Sequence, residues 1–412
     1  MADILMEKCT SAKAAAFDLA SSYGDVRNKA ISLMADALER DMDSILSANA
    51  LDLKNAAEAG MRASLVDRLT LNEARIKAMA ASLRKVAALP DPLGGGTVWN
   101  RPNGMRIRRV RVPIGLIAII YEARPNVSAD AAAICIKSGN ACILRGGKEA
   151  VHSSTAIVSS IKTALTAAGL SADCVQIVED TTRESSMRLM TMNGIVDLLI
   201  PRGGRSLIRA VVDNATVPVI ETGAGNCHVY VEKNADFDMA LSIVKNAKMQ
   251  RPSVCNAAEG LLVDRAVAKE FLPKLKEYMP DVEYRGCDET MAILKDVTPA
   301  TEEDFYTEYN DYIMSVKVVE GIDEAINHIN AHNTKHSECI VTGNTAAAEK
   351  FTAQIDAAAV YVNVSTRFTD GEEFGFGAEI GISTQKFHAR GPMGPDELTT
   401  HKYIIEGQGQ IR

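Results

Sequence analysis

The sequence is poor in aromatic residues and carries no excess of positive charge. Aromatic residues make up 5% of its 412 residues, with a single Trp, and the net charge is −8. An acidic chain is a poor general binder of nucleic acids or of anionic membrane surfaces. The composition therefore argues against both of these roles.

Two further absences bear on where the protein works. The first residues lack a basic region followed by an apolar run, and no stretch is apolar for long enough to span a bilayer. The eight cysteines are scattered and form no C-x-x-C pair, which is typical of reduced thiols in a large chain. We therefore expect a cytoplasmic protein with neither a signal peptide nor a membrane-spanning segment.

The length and the 47% hydrophobic content are enough for two or three domains with buried cores. Residues 1–89 are rich in alanine and have apolar positions at helical spacing, which predicts helices. Thr70 and Glu73 have the spacing of a capping box. The stretch Pro90–Gly96 ends this helical region.

A β-hairpin is predicted next, over residues 97–112, because Asn103-Gly104 lies between two β-type runs. Four arginines lie in this hairpin, at positions 106, 108, 109 and 111. The whole chain is acidic, so a solvated or interface-facing hairpin is favoured over a nucleic-acid site.

From Gly115 onward, predicted strands alternate with predicted helices. The strands are expected over residues 115–121, 141–144, 175–178, 196–200 and 217–220, and a second α/β unit is expected from about residue 229. This order predicts parallel sheets covered by helices, and such sheets bind ligands at the carboxyl ends of their strands.

Two polar turns fall at such strand ends, Arg145-Gly-Gly-Lys148 and Pro201-Arg-Gly-Gly-Arg205. Glycines let the backbone approach a ligand, and cations suit phosphate. No G-x-G-x-x-G fingerprint is present, and Glu149 follows directly after the first turn. A turn that only caps a helix stays an open alternative for each.

Cys255 and Glu221 form the most reactive combination in the sequence. A thiolate can attack a carboxyl-level carbon, and a carboxylate on a glycine-rich turn can lie beside it. Cys255 would need help to ionise, from Arg251 or from backbone N–H groups at a helix start. The alternative is a buried cysteine that serves as a small hydrophobe.

The histidines suggest a metal site less strongly than their spacing implies. His328, His332 and His336 recur every four residues, but Asn333 and Thr334 are expected to end the helix. A solvated helix end is therefore the prediction, and no metal is expected. Cys227 and His228 are neighbours on a predicted strand, so they point to opposite faces and Cys227 belongs to the core.

Six motifs occur in order along the chain: Tyr121-Glu-Ala-Arg-Pro-Asn-Val127, Leu144-Arg-Gly-Gly-Lys-Glu149, Ile200-Pro-Arg-Gly-Gly204, Glu221-Thr-Gly-Ala-Gly-Asn-Cys-His228, Gln250-Arg-Pro-Ser-Val-Cys-Asn256 and Glu379-Ile-Gly-Ile-Ser-Thr384. Together they resemble the aldehyde dehydrogenase superfamily, and within it the branch that reduces an acyl phosphate of glutamate. The resemblance covers nearly the whole chain. It implies an α/β fold with two Rossmann-like parallel-sheet domains and a small β oligomerisation flap.

The resemblance also implies domain limits. The cofactor-binding domain is expected over residues 1–96 and 116–228, and the catalytic domain over 229–385. The oligomerisation flap is expected over residues 97–115 and 397–412. The predicted basic hairpin thereby gains a structural role at an interface between copies of the chain.

The catalytic residues that the resemblance implies are Cys255, Asn126 and Glu221. Cys255 is the nucleophile, and the Asn126 amide forms the oxyanion site together with the backbone N–H of the cysteine. Glu221 matches the base that activates water in hydrolytic relatives. Phosphate is the natural partner here, so Glu221 is expected to orient the thiol or the nicotinamide instead.

The implied cofactor is NADP, held by Arg145, Gly146, Gly147, Lys148, Gly203, Gly204 and Glu308. Lys148 lies where relatives that prefer NAD place an acid, which points to NADP. Glu308 resembles the residue that binds the nicotinamide ribose. The substrate carries phosphate and an α-carboxylate, and the cations expected around it are Arg124, Arg251 and Arg367.

The implied reaction is NADPH-dependent reduction of L-glutamyl 5-phosphate to L-glutamate 5-semialdehyde in proline biosynthesis, through a Cys255 thioester and with release of phosphate. Copies of the same chain and a separate, transiently bound glutamate 5-kinase are the implied protein partners. One alternative is an aldehyde dehydrogenase that acylates CoA, in which CoA replaces phosphate. The other is a scaffold that keeps the fold but not the catalysis.

Overall fold

The structure is a computed structural model and describes residues 3–412. The chain forms two compact units. Unit 1 comprises the chain up to Thr222 together with Gly375–Gly381 and Pro392–Arg412, and unit 2 comprises Gly223–Phe374 and Ile382–Gly391. None of the helices within residues 3–412 is long and apolar enough to cross a membrane.

Unit 1 begins with five helices, as predicted for this part of the chain: α1 (Ile4–Ala20), α2 (Gly24–Arg40), α3 (Met42–Glu58), α4 (Ala63–Leu69) and α5 (Glu73–Ala88). The predicted cap of α5 is wrong. Asn72, not Thr70, accepts the N–H of Arg75, at 2.8 Å. The Thr70 hydroxyl donates instead to the Val66 carbonyl at 2.7 Å and so completes α4.

The α/β part of unit 1 continues with β1 (Gly96–Asn100), β2 (Arg106–Pro113), β3 (Leu116–Tyr121), α6 (Asn126–Lys137), β4 (Ala141–Arg145), α7 (Val151–Ala167), β5 (Val175–Ile177), α8 (Arg183–Met190), β6 (Leu198–Arg202) and α9 (Arg205–Asn214). Four of these strands form a parallel sheet in the order β5-β4-β3-β6. Strand β3 is buried along its whole length. The order of these elements confirms the predicted alternation of strands and helices.

One predicted strand of unit 1, over residues 217–220, does not form. Val219 makes only an isolated parallel bridge with Leu199. Pro218 has no N–H to donate, so a continuous ladder cannot pass through it. Its carbonyl still accepts the N–H of Leu199 at 2.9 Å.

Unit 2 contains β7 (Cys227–Val231), α10 (Phe237–Met249), β8 (Ala258–Asp264), α11 (Arg265–Tyr278), β9 (Glu283–Gly286), α12 (Asp288–Ile293), β10 (Thr298–Pro299), β11 (Ile313–Val319), α13 (Ile322–His332), β12 (Ser337–Val341), α14 (Thr345–Gln354), β13 (Ala359–Val362) and β14 (Ile382–Ser383). Its main sheet is parallel, with the order β10-β9-β11-β8-β7-β12-β13. A β-bulge interrupts the β7–β8 ladder, since Cys227 pairs with Ala258 whereas His228 pairs with Gly260. Glu259 is therefore the extra residue.

The last strands are β15 (Gly391–Pro392) and β16 (Thr399–Glu406). Strand β16 joins the predicted hairpin in an antiparallel sheet of order β1-β2-β16. Gly104 in the hairpin turn has φ +85°, a conformation that favours glycine. Two parallel sheets and one small antiparallel sheet confirm the expected fold class.

Candidate active site

The two glycine turns of unit 1 follow strands that flank β3. Gly146 and Gly147 lie just after β4, and Gly203 and Gly204 just after β6. A Cβ atom on Gly147 would lie 2.2 Å from Glu149 Oε1, and one on Gly203 would lie 2.6 Å from Glu122 Oε2. At both turns a carboxylate lies directly against the glycine backbone, so a larger residue would require that flexible Glu side chain to shift.

The segment that follows β3 connects the two turns. Glu122 Oε2 accepts the N–H of Gly204 at 2.8 Å, and the N–H of Ala123 donates to Glu149 Oε1 at 2.9 Å. The same segment carries Arg124 and Asn126. The structure thus brings these two predicted residues close to both predicted turns.

Glu122 has a role that the sequence did not reveal. Its carboxylate accepts a hydrogen bond at the residue before α9, where helix N–H groups and the helix dipole favour an anion. The N–H of Gly204 therefore already contacts a negative charge that the protein itself supplies. The signal in the sequence that points to Glu122 is its place in the motif Tyr121-Glu-Ala-Arg-Pro-Asn-Val127.

Arg145 is fixed by the loop that follows β5. Its Nη2 donates to the carbonyls of Thr181 and Thr182 at 2.6 and 3.1 Å. Burial lowers the pKa of Arg145, and Glu149 opposes this shift. Its Nε is buried and has no hydrogen-bond partner within the described part of the chain. The neighbouring Lys148, in contrast, is exposed.

Asn126 is the first residue of α6, and its amide is held from the next turn of the helix. Nδ2 of Asn126 donates to Asp130 Oδ2 at 3.1 Å. Burial raises the pKa of Asp130 to about 6, and the hydrogen bond from Asn126 opposes this shift. The contact uses one of the two amide hydrogens. Sequence reasoning missed Asp130, although its distance of four residues from Asn126 is the helical contact spacing.

Glu221 lies in unit 1 and is half-buried. The hydroxyl of the next residue, Thr222, donates to the Pro201 carbonyl at 2.7 Å. Glu221 is thereby tied to the end of β6, beside the turn that contains Gly203 and Gly204. Its predicted partner, Cys255, belongs to unit 2.

Cys255 lies in a short turn between α10 and β8 and is half-buried. The expectation that a helix start would help it to ionise is wrong, because a strand follows the turn. The Cys255 carbonyl accepts the S–H of Cys227 at 3.2 Å. A Cβ atom on Gly225 would lie 1.4 Å from that carbonyl oxygen, so the backbone of Gly225 packs directly against the turn.

Arg367 lies far from Cys255 in the sequence, but its side chain binds residues of the turn that carries Cys255. Its Nε donates to Gln250 Oε1 at 3.0 Å, and its Nη1 donates to Asn256 Oδ1. The Asn256 amide in turn donates to the carbonyls of Arg367 and Thr369, at 3.3 and 2.9 Å. Burial lowers the pKa of Arg367, and its interaction with Cys255 opposes this shift. The structure therefore brings this predicted residue to the thiol.

Glu308 is also brought to the turn of Cys255, through one intervening residue. Its Oε1 accepts the N–H of Gly225 at 2.8 Å, and Gly225 packs against the Cys255 carbonyl. Arg251 lies within the turn itself and is exposed. Within unit 2, four predicted residues therefore belong to one neighbourhood: Cys255, Arg251, Arg367 and Glu308.

The histidines do not form the predicted solvated helix end. His328 is 6% exposed and His336 is 0% exposed, and the rings of His328 and His332 stack with centroids 4.0 Å apart. Burial lowers the pKa of His328 to about 2. The prediction failed because this end of α13 is covered by side chains such as Phe305, whose ring centroid lies 5.0 Å from that of His328. No group of three or more potential metal ligands occurs in residues 3–412.

Cys227 and His228 face different partners, as their positions on a strand predicted. Cys227 is fully buried, with Sγ 3.8 Å from Nδ1 of His336. His228 Nδ1 lies 3.0 Å from Glu338 Oε2 on β12. The prediction that Cys227 belongs to the interior is confirmed.

Comparisons with known proteins agree with this geometry. The chain matches the model of the aldehyde dehydrogenase family over residues 5–317 and 290–379. A gamma-glutamyl phosphate reductase from Moorella thermoacetica is 57% identical over 404 residues, covering 97% of each chain. One from Thermoanaerobacter sp. (strain X514) is 55% identical over 408 residues, covering 98% of this chain and 99% of the relative.

A crystal structure shows the same similarity in three dimensions. Gamma-glutamyl phosphate reductase from Thermotoga maritima is 50% identical and superposes with a TM-score of 0.97, covering 100% of both chains. The likeness thus extends over the whole fold rather than over one domain.

Proposed function

Because the chain belongs to the aldehyde dehydrogenase family, in the group of the gamma-glutamyl phosphate reductases, we propose that it reduces L-glutamyl 5-phosphate to L-glutamate 5-semialdehyde with NADPH. The product is a precursor of proline. The observation that carries this proposal is the placement of Arg367 against the turn of Cys255.

Arg367 supports a substrate whose leaving group is an anion. In an acyl phosphate, the phosphate is bonded to the carbon that the thiol attacks, whereas the α-carboxylate is several carbons away. The guanidinium that interacts with Cys255 is therefore assigned to the phosphate, since guanidinium matches phosphate geometry. Arg124 and Arg251 are left for the α-carboxylate.

The chemistry starts with attack of the Cys255 thiolate on the acyl carbon. The carbon–sulfur bond forms, phosphate leaves with the electron pair of the broken carbon–oxygen bond, and a thioester remains. When bound, NADPH supplies the hydride that reduces this thioester. The sulfur then departs as thiolate and the aldehyde is released. Covalent capture divides one difficult reduction into easier steps.

Asn126 is proposed to stabilise the oxygen that gains negative charge when the thiol attacks. Its contact to Asp130 uses one amide hydrogen, which leaves the other for the oxyanion. Loss of one donor of this kind typically lowers the rate by about 100- to 1000-fold. Glu221 has no hydrolytic task in this reaction, and we propose that it orients the thiol or the nicotinamide.

The residues of unit 1 fit a dinucleotide with an extra phosphate. Gly204 donates its N–H to a carboxylate, and Arg145 keeps a buried donor without a partner in the described chain. Glu149, the acid next to Lys148, accepts a backbone N–H, so the exposed Lys148 is the charge that this turn presents. A cation there favours the 2′-phosphate of NADP.

We further propose domain roles and assembly. Residues 1–96 and 116–228 bind the cofactor, and residues 229–385 carry the catalytic thiol. Residues 97–115 and 397–412 join copies of the chain, a role supported by exposed apolar side chains on β1 and β16, namely Val98, Trp99, Tyr403 and Ile405. The protein is proposed to act in the cytoplasm and to receive its labile substrate from a separate glutamate kinase by transient contact.

The assay runs the reaction in reverse. Purified protein is mixed with glutamate 5-semialdehyde, inorganic phosphate and NADP, and NADPH is followed by absorbance. We expect a signal that requires phosphate and that is weaker when NAD replaces NADP. The phosphate requirement follows from attack of phosphate on the thioester.

Three outcomes contradict the proposal. A signal that does not depend on phosphate refutes phosphate-coupled chemistry. A signal that appears with CoA in place of phosphate identifies an acylating dehydrogenase. Absence of any signal from folded protein that binds NADPH favours a scaffold without this activity.

A further inference from the structure

A fully buried ion pair lies next to the predicted cofactor residue Glu308. Lys248 Nζ lies 2.6 Å from Glu259 Oε2, and both side chains are 0% exposed. Two charges removed from water have a large desolvation cost, and an apolar pair of similar volume is often as stable or more stable. Stability alone therefore does not account for this pair.

Glu259 owes its position to the bulge in the β7–β8 ladder. Ala258 pairs with Cys227 and Gly260 pairs with His228, so Glu259 has no partner across the ladder. Bulges redirect side chains and occur frequently beside active sites. Here the bulge lies four residues after Cys255 and turns the carboxylate of Glu259 into the interior.

The carboxylate of Glu259 reaches the irregular segment that carries Glu308. Its second oxygen, Oε1, accepts the N–H of Asn310 at 3.2 Å. Asn310 has φ +58°, a strained conformation for a residue other than glycine that surrounding contacts must maintain. Its side chain donates to the Glu308 carbonyl at 3.3 Å. A defined backbone at Asn310 thus fixes the backbone of Glu308.

The neighbouring Tyr309 is held in the same way. Its hydroxyl lies 3.0 Å from Asp304 Oδ1, and the Arg285 guanidinium lies 5.0 Å from its ring centroid. Lys248 Nζ lies 6.0 Å from the centroid of the same ring. The buried pair therefore supports the segment at both Tyr309 and Asn310.

We propose that the Lys248–Glu259 pair is a positioning device, which holds Glu308 where it binds the nicotinamide ribose of the cofactor. The inference rests on the proposed function in assigning the ribose to Glu308. Lys248 favours the charged form of Glu259, whose second oxygen accepts the N–H of Asn310. Burial raises the pKa of Glu259 to about 7, and attraction to Lys248 opposes this shift.

The first test compares NADPH binding by the wild type and by Glu259→Gln, using the fluorescence of bound NADPH without turnover. Loss of a charged acceptor is expected to raise the dissociation constant by about tenfold. Competition by adenosine 2′,5′-bisphosphate, which lacks the nicotinamide ribose, should be unchanged. The KM for NADP should rise, while the KM for glutamate semialdehyde stays the same.

A second variant separates positioning from stability. Replacing both Lys248 and Glu259 by Met leaves no charge of this pair in the interior. The thermal stability of the double variant should therefore equal that of the wild type. In this double variant the N–H of Asn310 has lost its carboxylate acceptor, so NADPH binding should be as weak as in Glu259→Gln. A double variant that binds NADPH as the wild type does would overturn the proposal.

Glu232→Gln is the matched control. Glu232 is also buried, and it accepts hydrogen bonds from Asn234 and Thr342 at the opposite end of β7 from Cys227. Its loss should lower stability without changing NADPH affinity. If Glu232→Gln weakens NADPH binding as much as Glu259→Gln does, the effect is general loosening and the inference fails. Normal NADPH binding without phosphate-dependent turnover in the wild type refutes the proposed function instead.

Discussion

The two units present their candidate residues in different ways. In unit 1, short turns of consecutive residues follow neighbouring strands, and one of them presents a backbone amide, the N–H of Gly204, to the Glu122 carboxylate. In unit 2, the turn of Cys255 is held by Arg367, which lies 111 residues after its partner Asn256. The first kind of site is local, and the second is assembled by tertiary contacts.

This difference predicts different sensitivities to mutation. A turn at a strand end depends on the sheet that carries it and on glycines that leave room for a ligand. The turn of Cys255 depends on every segment that contacts it, including segments that do not contact the substrate. Cofactor binding by unit 1 is therefore expected to survive changes in unit 2 that abolish the chemistry.

The largest effect is expected from Cys255→Ala. Without the nucleophile no thioester forms, so turnover should fall by more than about 1000-fold. NADPH should still bind, as fluorescence titration can measure. Cys287→Ala is the control, because Cys287 is another half-buried thiol with no assigned task, and its loss should leave turnover unchanged. Retained activity in Cys255→Ala would remove Cys255 as the nucleophile.

Gly225→Ala tests the assembled turn without touching the thiol. The added methyl group would overlap the Cys255 carbonyl, 1.4 Å away, so the turn must move. A displacement of about 1 Å at a reacting group can lower the rate by about 100-fold, to be measured as kcat. Gly95→Ala, where a Cβ meets nothing within 4 Å, is the control. Equal activity of the two variants would show that the turn is not held by Gly225.

The smallest effect concerns Asp130 and pH. Its folded pKa of about 6 lies above its ordinary value of 3.8, so the folded state binds the proton more tightly. The protonated Asp130 carboxyl therefore contributes its full stabilisation below pH 3.8, and this contribution is lost as the pH rises toward 6. Asp130→Asn should be more stable than the wild type near pH 8, by about 1 to 3 kcal/mol, and nearly equal to it near pH 4.

Denaturant unfolding at the two pH values measures this difference. Asp213→Asn, at an exposed ion pair with Arg209, should change stability by less than about 0.5 kcal/mol at either pH. A gain for Asp130→Asn of the same size at both pH values would contradict the assigned pKa. A loss near pH 8 would show that Asp130 is ionised and stabilising there.

Much of the fold could be read from the sequence because its signals are local. Alternating runs indicated the order of strands and helices, and β3 (Leu116–Tyr121) formed within the predicted range 115–121. The failures have local causes too. The predicted strand over residues 217–220 did not form because Pro218 has no N–H to donate. The Thr70 hydroxyl donates to the Val66 carbonyl in α4 instead of capping α5.

The histidines and Glu259 show where sequence reasoning stops. The sequence predicted a solvated helix end at the histidines, and only the packing around Phe305 decided that this end is buried. Nothing in the sequence indicates that a bulge at Glu259 turns its carboxylate toward Asn310. Likewise, only the folded structure identifies Asn126 as the partner of Asp130 and Gly204 as the partner of Glu122.

The sequence by itself determined the α/β class and the positions of two glycine turns at the ends of strands. These properties depend on periodicity, on glycine and on short motifs, all of which act over a few residues. The tertiary structure alone decided that Arg367 contacts the turn of Cys255. It also decided that the buried Lys248–Glu259 pair lies beside the segment that carries Glu308. Those contacts join residues far apart in the chain, and only the folded backbone fixes the distances between them.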